Sequence, residues 1–175
     1  MPASTPKFAI PYPLPDDSVA DYPGVGLDLA ETLETLNGAP ACRVRNVADQ
    51  VCAANATTVL NFDTEEWDAD GMHAAGAPSR LTIVKTGYYL AILTGIATAT
   101  APLGHYIRLR RNAGVEADHS LAFSAGYLQQ RFAISFLFRC QVGDYLDAAI
   151  YIAGGAPTIT YSGNGSHFGA AWLAP

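Results

Sequence analysis

Charge is scarce in this chain. Asp, Glu, Lys and Arg make up 15% of its 175 residues, while half are hydrophobic, which excludes a disordered polyelectrolyte and suits one well-buried core plus an appendage. Cysteine is scarcer still. Cys42, Cys52 and Cys140 are an odd number without metal-ligand spacing, so they form no disulfide framework and read as buried, reduced thiols. The opening stretch MPASTPKFAIPYPLP has no apolar signal core, and no segment is apolar enough to span a bilayer. The expectation is synthesis in a cytosol without membrane insertion.

Catalytic patterns are missing too. Ser166, in Gly163-Asn164-Gly165-Ser166, lacks the setting of a nucleophile elbow and reads as a hairpin tip. Gly24-Val25-Gly26 has neither a preceding strand nor the third glycine of a dinucleotide loop. His73, His105, His119 and His167 show no i, i+4 pairing, and the His/Glu cluster of a cupin-type enzyme is absent. Asp68-Ala69-Asp70-Gly71, with Glu65 and Glu66 nearby, starts like a calcium loop but lacks the later ligands, and reads as a solvated loop. A protein without enzymatic activity, cofactor or metal is expected.

What charge there is lies unevenly. Residues 1–38 carry Asp16, Asp17, Asp21, Asp28, Glu31 and Glu34 against Lys7, whereas the remainder holds ten acidic and nine basic groups. A near-neutral body offers no footprint for nucleic acid. Arg108, Arg110 and Arg111 read as the outward face and end of one strand.

Two regions follow, 1–38 and 39–175. Six of the eleven prolines fall within residues 1–23, which predicts an extended arm barred from a central sheet. Phe8, Ile10, Tyr12 and Leu14 alternate along it and need a surface to lie on, as in a docking arm. Over 27–37, Leu29, Leu33 and Leu36 follow helical spacing, with Asp28 and Glu31 placed like a capping box and Asn37-Gly38 as a stop. So short a helix either packs on its own domain or meets copies of itself around an axis.

From residue 40 the hydrophobic period becomes two. Short strands are predicted at 57–62 and 80–84, and a long one from Tyr88 that is apolar on both faces. Others follow at 105–112, 132–140, 146–152 and 167–173, separated by turn signals such as Asp70-Gly71, Thr86-Gly87, Asn112-Ala113-Gly114 and Gly143-Asp144. This is an all-β sandwich or jelly roll. The second apolar faces and the many aromatics fit either one large core or a permanent subunit interface.

Gly87-Tyr88-Tyr89-Leu90 opening the long strand, the turn Asn112-Ala113-Gly114, Gly143-Asp144-Tyr145-Leu146, and the closing strand Phe168-Gly169-Ala170-Ala171-Trp172-Leu173 together resemble the C1q/TNF-like family. Gly87, Tyr89, Gly143, Asp144, Phe168 and Gly169 are its signature positions. The stretch 61–73 resembles C1q-like proteins of tailed bacteriophages. The arm around Ile10-Pro11-Tyr12-Pro13-Leu14 with the helix after it resembles the attachment segment of phage tail and fibre proteins. There is no collagen-like Gly-X-Y stretch. The resemblance implies a homotrimeric virion protein of the tail, a fibre or a knob. Its N-terminal arm would bind other virion proteins, Leu29, Leu33 and Leu36 would lie at the trimer axis, and the jelly roll would face a host-surface receptor. A capsid decoration or head-fibre protein, and a glycan- or protein-binding module, are the alternatives.

Overall fold

A computed structural model describes residues 3–4, 11–12, 27–30, 38–99, 103–123, 129–153 and 159–175. The chain divides into two compact units, Met1–Ala39 and Pro40–Pro175. In the first, strands β1 (Ala3–Ser4) and β2 (Pro11–Tyr12) pair antiparallel, Ala3 opposite Tyr12 and Ser4 opposite Pro11. Residues 27–30 are helical. Leu29 is on that turn, while Leu33, Leu36, Phe8, Ile10 and Leu14 lie outside the described residues.

The second unit is a sandwich of antiparallel strands. They are β3 (Ala41–Arg45), β4 (Gln50–Cys52), β5 (Thr57–Val59), β6 (Thr64–Asp68), β7 (Arg80–Thr82), β8 (Gly87–Ala99), β9 (Leu103–Arg111), β10 (Gly114–Phe123), β11 (Gln129–Cys140), β12 (Tyr145–Ala153) and β13 (Ile159–Ala174). One sheet runs β10-β9-β12-β5, with β7 also on β12; the other runs β11-β8-β13-β3-β6, with β4 also on β13. Alternation puts Tyr89, Leu93 and Phe168 of the second sheet, and Ile107, Leu109, Leu146 and Ile150 of the first, into one core where each is fully buried. Phe62, on the segment between β5 and β6, stacks on Phe168 at 5.2 Å.

Three readings of the sequence need correction. Residues 64–68 form an edge strand that alternation did not reveal, Trp67 and Glu65 pairing with Arg43 and Val44, so the loop expected at Asp68–Gly71 begins only after Asp68. Gly163-Asn164-Gly165-Ser166 is not a hairpin tip. The strand continues past it, pairing Ser162 with Ile96 and then His167 with Thr94, so the extra residues form a bulge within β13. Ser166 is buried there, its Oγ accepting the Ile96 N–H at 3.3 Å. Finally, β10 is a ten-residue strand that alternation did not reveal.

Candidate functional site

The inward face of the six-stranded sheet is core; its outward face is left open by the described residues of the second unit. Register fixes which side chains share it. Leu90 lies between Leu137 and Ala171, Ile92 between Ser135 and Gly169, and Thr94 between Ala133 and His167. Beyond β13, Arg43 faces Gly169 on one side and Trp67 on the other, and Arg45 faces His167. Ile92 is 44% exposed, Trp67 49% and Leu137 51%. Large apolar side chains left in water on one continuous sheet face mark an interaction surface more than a solvated one.

Its relief is uneven. Gly169 and Ala171 floor a trough of about 440 Å³ over β13, walled by Leu90 and Ile92 on one side and Arg43 and Trp67 on the other. A Cβ on Gly169 would come within 2.9 Å of the Cys42 carbonyl, so this position stays small. On the far margin Tyr88 and Leu137 project.

A register shift where β3 meets β6 gives the trough its polar corner. Glu66 Oε2 is 2.7 Å from Arg43 Nε, and Glu66 Oε1 is 3.4 Å from His167 Nδ1. Its neighbour Glu65 goes the other way, its Oε1 2.9 Å from Nδ1 of the buried His73. Sequence reasoning missed this corner. The acidic run hid a strand, and nothing local announces that Trp67 shares a face with His167, a hundred residues later.

The acidic segment has a structural use. Asp68 accepts the Met72 N–H at 3.0 Å and the His73 N–H at 2.8 Å, capping the turn that follows β6. Among the described residues no group of three or more His, Cys, Asp or Glu is placed to hold a metal ion. The arginines of β9 are engaged as well. The Arg108 guanidinium lies 4.7 Å from the Tyr151 ring centre and 5.6 Å from that of Tyr106. Arg110 grips Asp147 through two bonds of 2.5 and 2.9 Å, and Arg111 reaches Glu116 at 3.0 Å.

Four of the signature positions, Gly87, Tyr89, Gly143 and Asp144, gather at the end of the sandwich where β3 begins and β13 ends, whereas Phe168 and Gly169 lie mid-strand opposite Leu93 and Ile92. Gly87 has φ +149°, and a Cβ there would overlap the Trp172 indole and the Ala174 carbonyl. Tyr89 is buried and donates to the Lys85 carbonyl at 2.7 Å; burial pushes its phenol up to about 12. Gly143 takes φ +91°. Asp144 accepts the Gln141 N–H and an Asn112 side-chain N–H, both at 2.8 Å, tying two hairpin turns together. Those bonds hold its carboxyl below the usual carboxylate range. The three cysteines are free and buried, and burial pushes the thiols up to about 12 for Cys42 and about 11 for Cys52 and Cys140. None is poised as a nucleophile.

No protein-family model and no curated protein sequence matches this chain. Solved structures do. The globular domain of zebrafish complement 1qA superposes with a TM-score of 0.51 at 15% identity, covering 77% of this chain and 97% of that one. Murine APRIL at pH 8.0 gives 0.55 at 15% identity, covering 77% and 99%. Murine APRIL at pH 5.0 gives 0.55 at 13% identity with the same coverage. The fold is the C1q/TNF-like jelly roll. Within it, the signature residues serve the architecture: Gly87 admits Trp172, Asp144 ties the turns, Phe168 fills the core and Gly169 keeps the trough open.

Proposed function

We propose that the chain is a non-enzymatic structural protein of a bacteriophage virion, a tail, fibre or knob component that assembles as a homotrimer. The carrying observation is the open face of the six-stranded sheet. Ile92, Trp67, Tyr88 and Leu137 are exposed on or beside it, around a trough that nothing in the chain's own described residues fills. A second copy supplies what the first lacks, because one margin projects apolar side chains and the other is recessed over Gly169 and Ala171. Unlike patches on one subunit make a head-to-tail contact, and such contacts form a ring where the rotation between copies closes. The number three rests on the C1q/TNF-like resemblance. The virion role rests on the resemblance of residues 61–73 and of the N-terminal segment to phage proteins. In this reading the first unit anchors to other virion proteins and the jelly roll faces outward for host-surface attachment.

Light scattering on the purified full chain tests the assembly. A particle of three chain masses is expected at micromolar concentration, and a stable monomer there would overturn the reading. Virion incorporation is tested by deleting residues 1–23, which should leave a folded protein absent from particles.

A further inference from the structure

The margins of the open face differ in charge as well as in relief. Across β11, β8 and β13 no acid occurs, and the only full charges are Arg131 and Arg139. Both are exposed on β11, on the side of Leu137, and neither makes an ion pair among the described residues. The charges next to Arg139 are already engaged. Arg111, which donates to its carbonyl, pairs with Glu116, and Asp144 is tied to Gln141 and Asn112. The opposite margin is acidic. Residues 63–70 hold Asp63, Glu65, Glu66, Asp68 and Asp70 without a single base. Glu66 meets Arg43, Glu65 meets His73, and Asp68 caps its own turn. Asp63 and Asp70 stand exposed at the two ends of β6, with no ion pair among the described residues. Counting Arg43 and Arg45 of the adjoining β3, five acids still face two bases.

We infer that charge sets the register of assembly: Arg131 and Arg139 on β11 of one copy seat against the acidic β6 margin of the next, Arg131 at its Asp63 end and Arg139 at its Asp70 end. The occupant is a second copy of this chain, and the inference rests on the homotrimer reading above. Order along the strands supports the pairing. Four antiparallel pairings separate β11 from β6, so the two strands run the same way. One rung of the sheet holds Ala133, Thr94, His167, Arg45 and Thr64, and Arg131 and Asp63 lie just beyond its two ends. Another holds Leu137, Leu90, Ala171 and Ala41, whose carbonyl accepts the Ala69 N–H at 3.0 Å, and Arg139 and Asp70 lie just beyond it. A rotation that carries one lateral margin of a sheet onto the other has its axis along the strands, which preserves that order. Both margins also run charge, apolar group, charge. Leu137 projects between the two arginines, and the trough beside Trp67 lies between the two aspartates. Charges at the rim of an apolar contact stay partly in water, so each pair is weak and salt-sensitive, and its use is to fix orientation.

Sedimentation of the full chain across a dilution series, in about 0.05 M and about 0.5 M NaCl, reads this directly. The assembly midpoint should rise about tenfold in concentration at the higher salt, because two screened pairs are repeated at three contacts. At low salt Arg139→Glu should raise it by at least about tenfold, and so should Asp70→Arg. Both changes in one chain invert the pair at every contact and should bring the midpoint back to within about threefold of the natural value. Far-UV circular dichroism on the same samples checks that the sheets are kept, and the salt series needs no variant. A midpoint unmoved by salt would overturn the inference and leave the trimer standing. So would a double variant no better than the single ones, because the arginine would then act otherwise than through Asp70. A charge set on an edge strand only to repel foreign strands works with either sign, so an Arg139→Glu chain that assembles normally would return β11 to that role. A monomer under every condition would instead overturn the reading on which the inference rests.

Discussion

Single residues set several of the tightest constraints in this jelly roll. Asn112 and Ala113 both take positive φ, +51° and +64°, in the two-residue turn joining β9 to β10. Such hairpin turns favour Asn-Gly, and here the second position is alanine. Ala113→Gly should therefore stabilise the fold by about 0.5–1 kcal/mol, read as a rise in the urea midpoint. Gly87→Ala should do the opposite. Its Cβ meets the Trp172 ring and the Ala174 carbonyl at a φ of +149°, so a loss of roughly 2–4 kcal/mol is expected, along with the Trp172 Nε1–Thr86 O bond of 3.1 Å. Thermal unfolding followed by tryptophan fluorescence checks both consequences. The thiols give a third expectation. With Cys42, Cys52 and Cys140 buried and raised, a disulfide reagent at pH 8 should find almost none in the native protein and three after denaturation.

At the scale of elements, the tie between the turns at 112–113 and 142–143 depends on one ionised group. Asp144 holds the Gln141 N–H and the Asn112 amide, while Asn112 Oδ1 accepts the Tyr145 N–H at 3.0 Å. Because these bonds hold its carboxyl below the ordinary value, the stabilisation is complete above about pH 4 and is lost as pH falls through the folded-state value. Asp144→Asn should cost about 1 kcal/mol at pH 7. The gap between the two urea midpoints should then narrow on acidification below pH 4. A gap that does not change with pH would assign the loss to packing. This tie was partly visible in the sequence, as two turn signals, and so was the long strand β8, whose residues alternate without interruption. Strand β10 was not, because a register shift between Val115 and Ala117 breaks its period. Nor was β6, whose charges are held by a single neighbouring strand and whose register shift sends Glu65 and Glu66 to different histidines. Bulges defeat a period-two reading for a plain reason: one added residue moves every later side chain to the other face. The bulge in β13 misled in the same way, since Gly-Asn-Gly reads as a turn until both flanks are seen to pair with β8.

For the whole molecule, the question is whether the open sheet face holds copies together or belongs to a monomer. Ile92 and Leu93 are adjacent on β8 but face opposite ways, Leu93 fully buried in the core and Ile92 44% exposed on the open side. Placing a carboxylate at each position separates folding from assembly. Leu93→Asp buries an unpaired charge among apolar side chains, and the protein should fail to fold. Ile92→Glu leaves the charge in water as long as the chain is alone, so a folded monomer costs little, within about 0.5 kcal/mol of the natural stability. In the assembled state the same carboxylate must enter the trough wall beside Gly169 and lose its water. Three copies repeat that loss around the ring, so association should weaken by at least about a hundredfold, roughly 1 kcal/mol per subunit. Sedimentation with far-UV circular dichroism on the same sample reads both halves: a β-sheet spectrum unchanged and a mass fallen to one chain. A trimer that survives Ile92→Glu unchanged would place the contact on another surface and return this face to solvent.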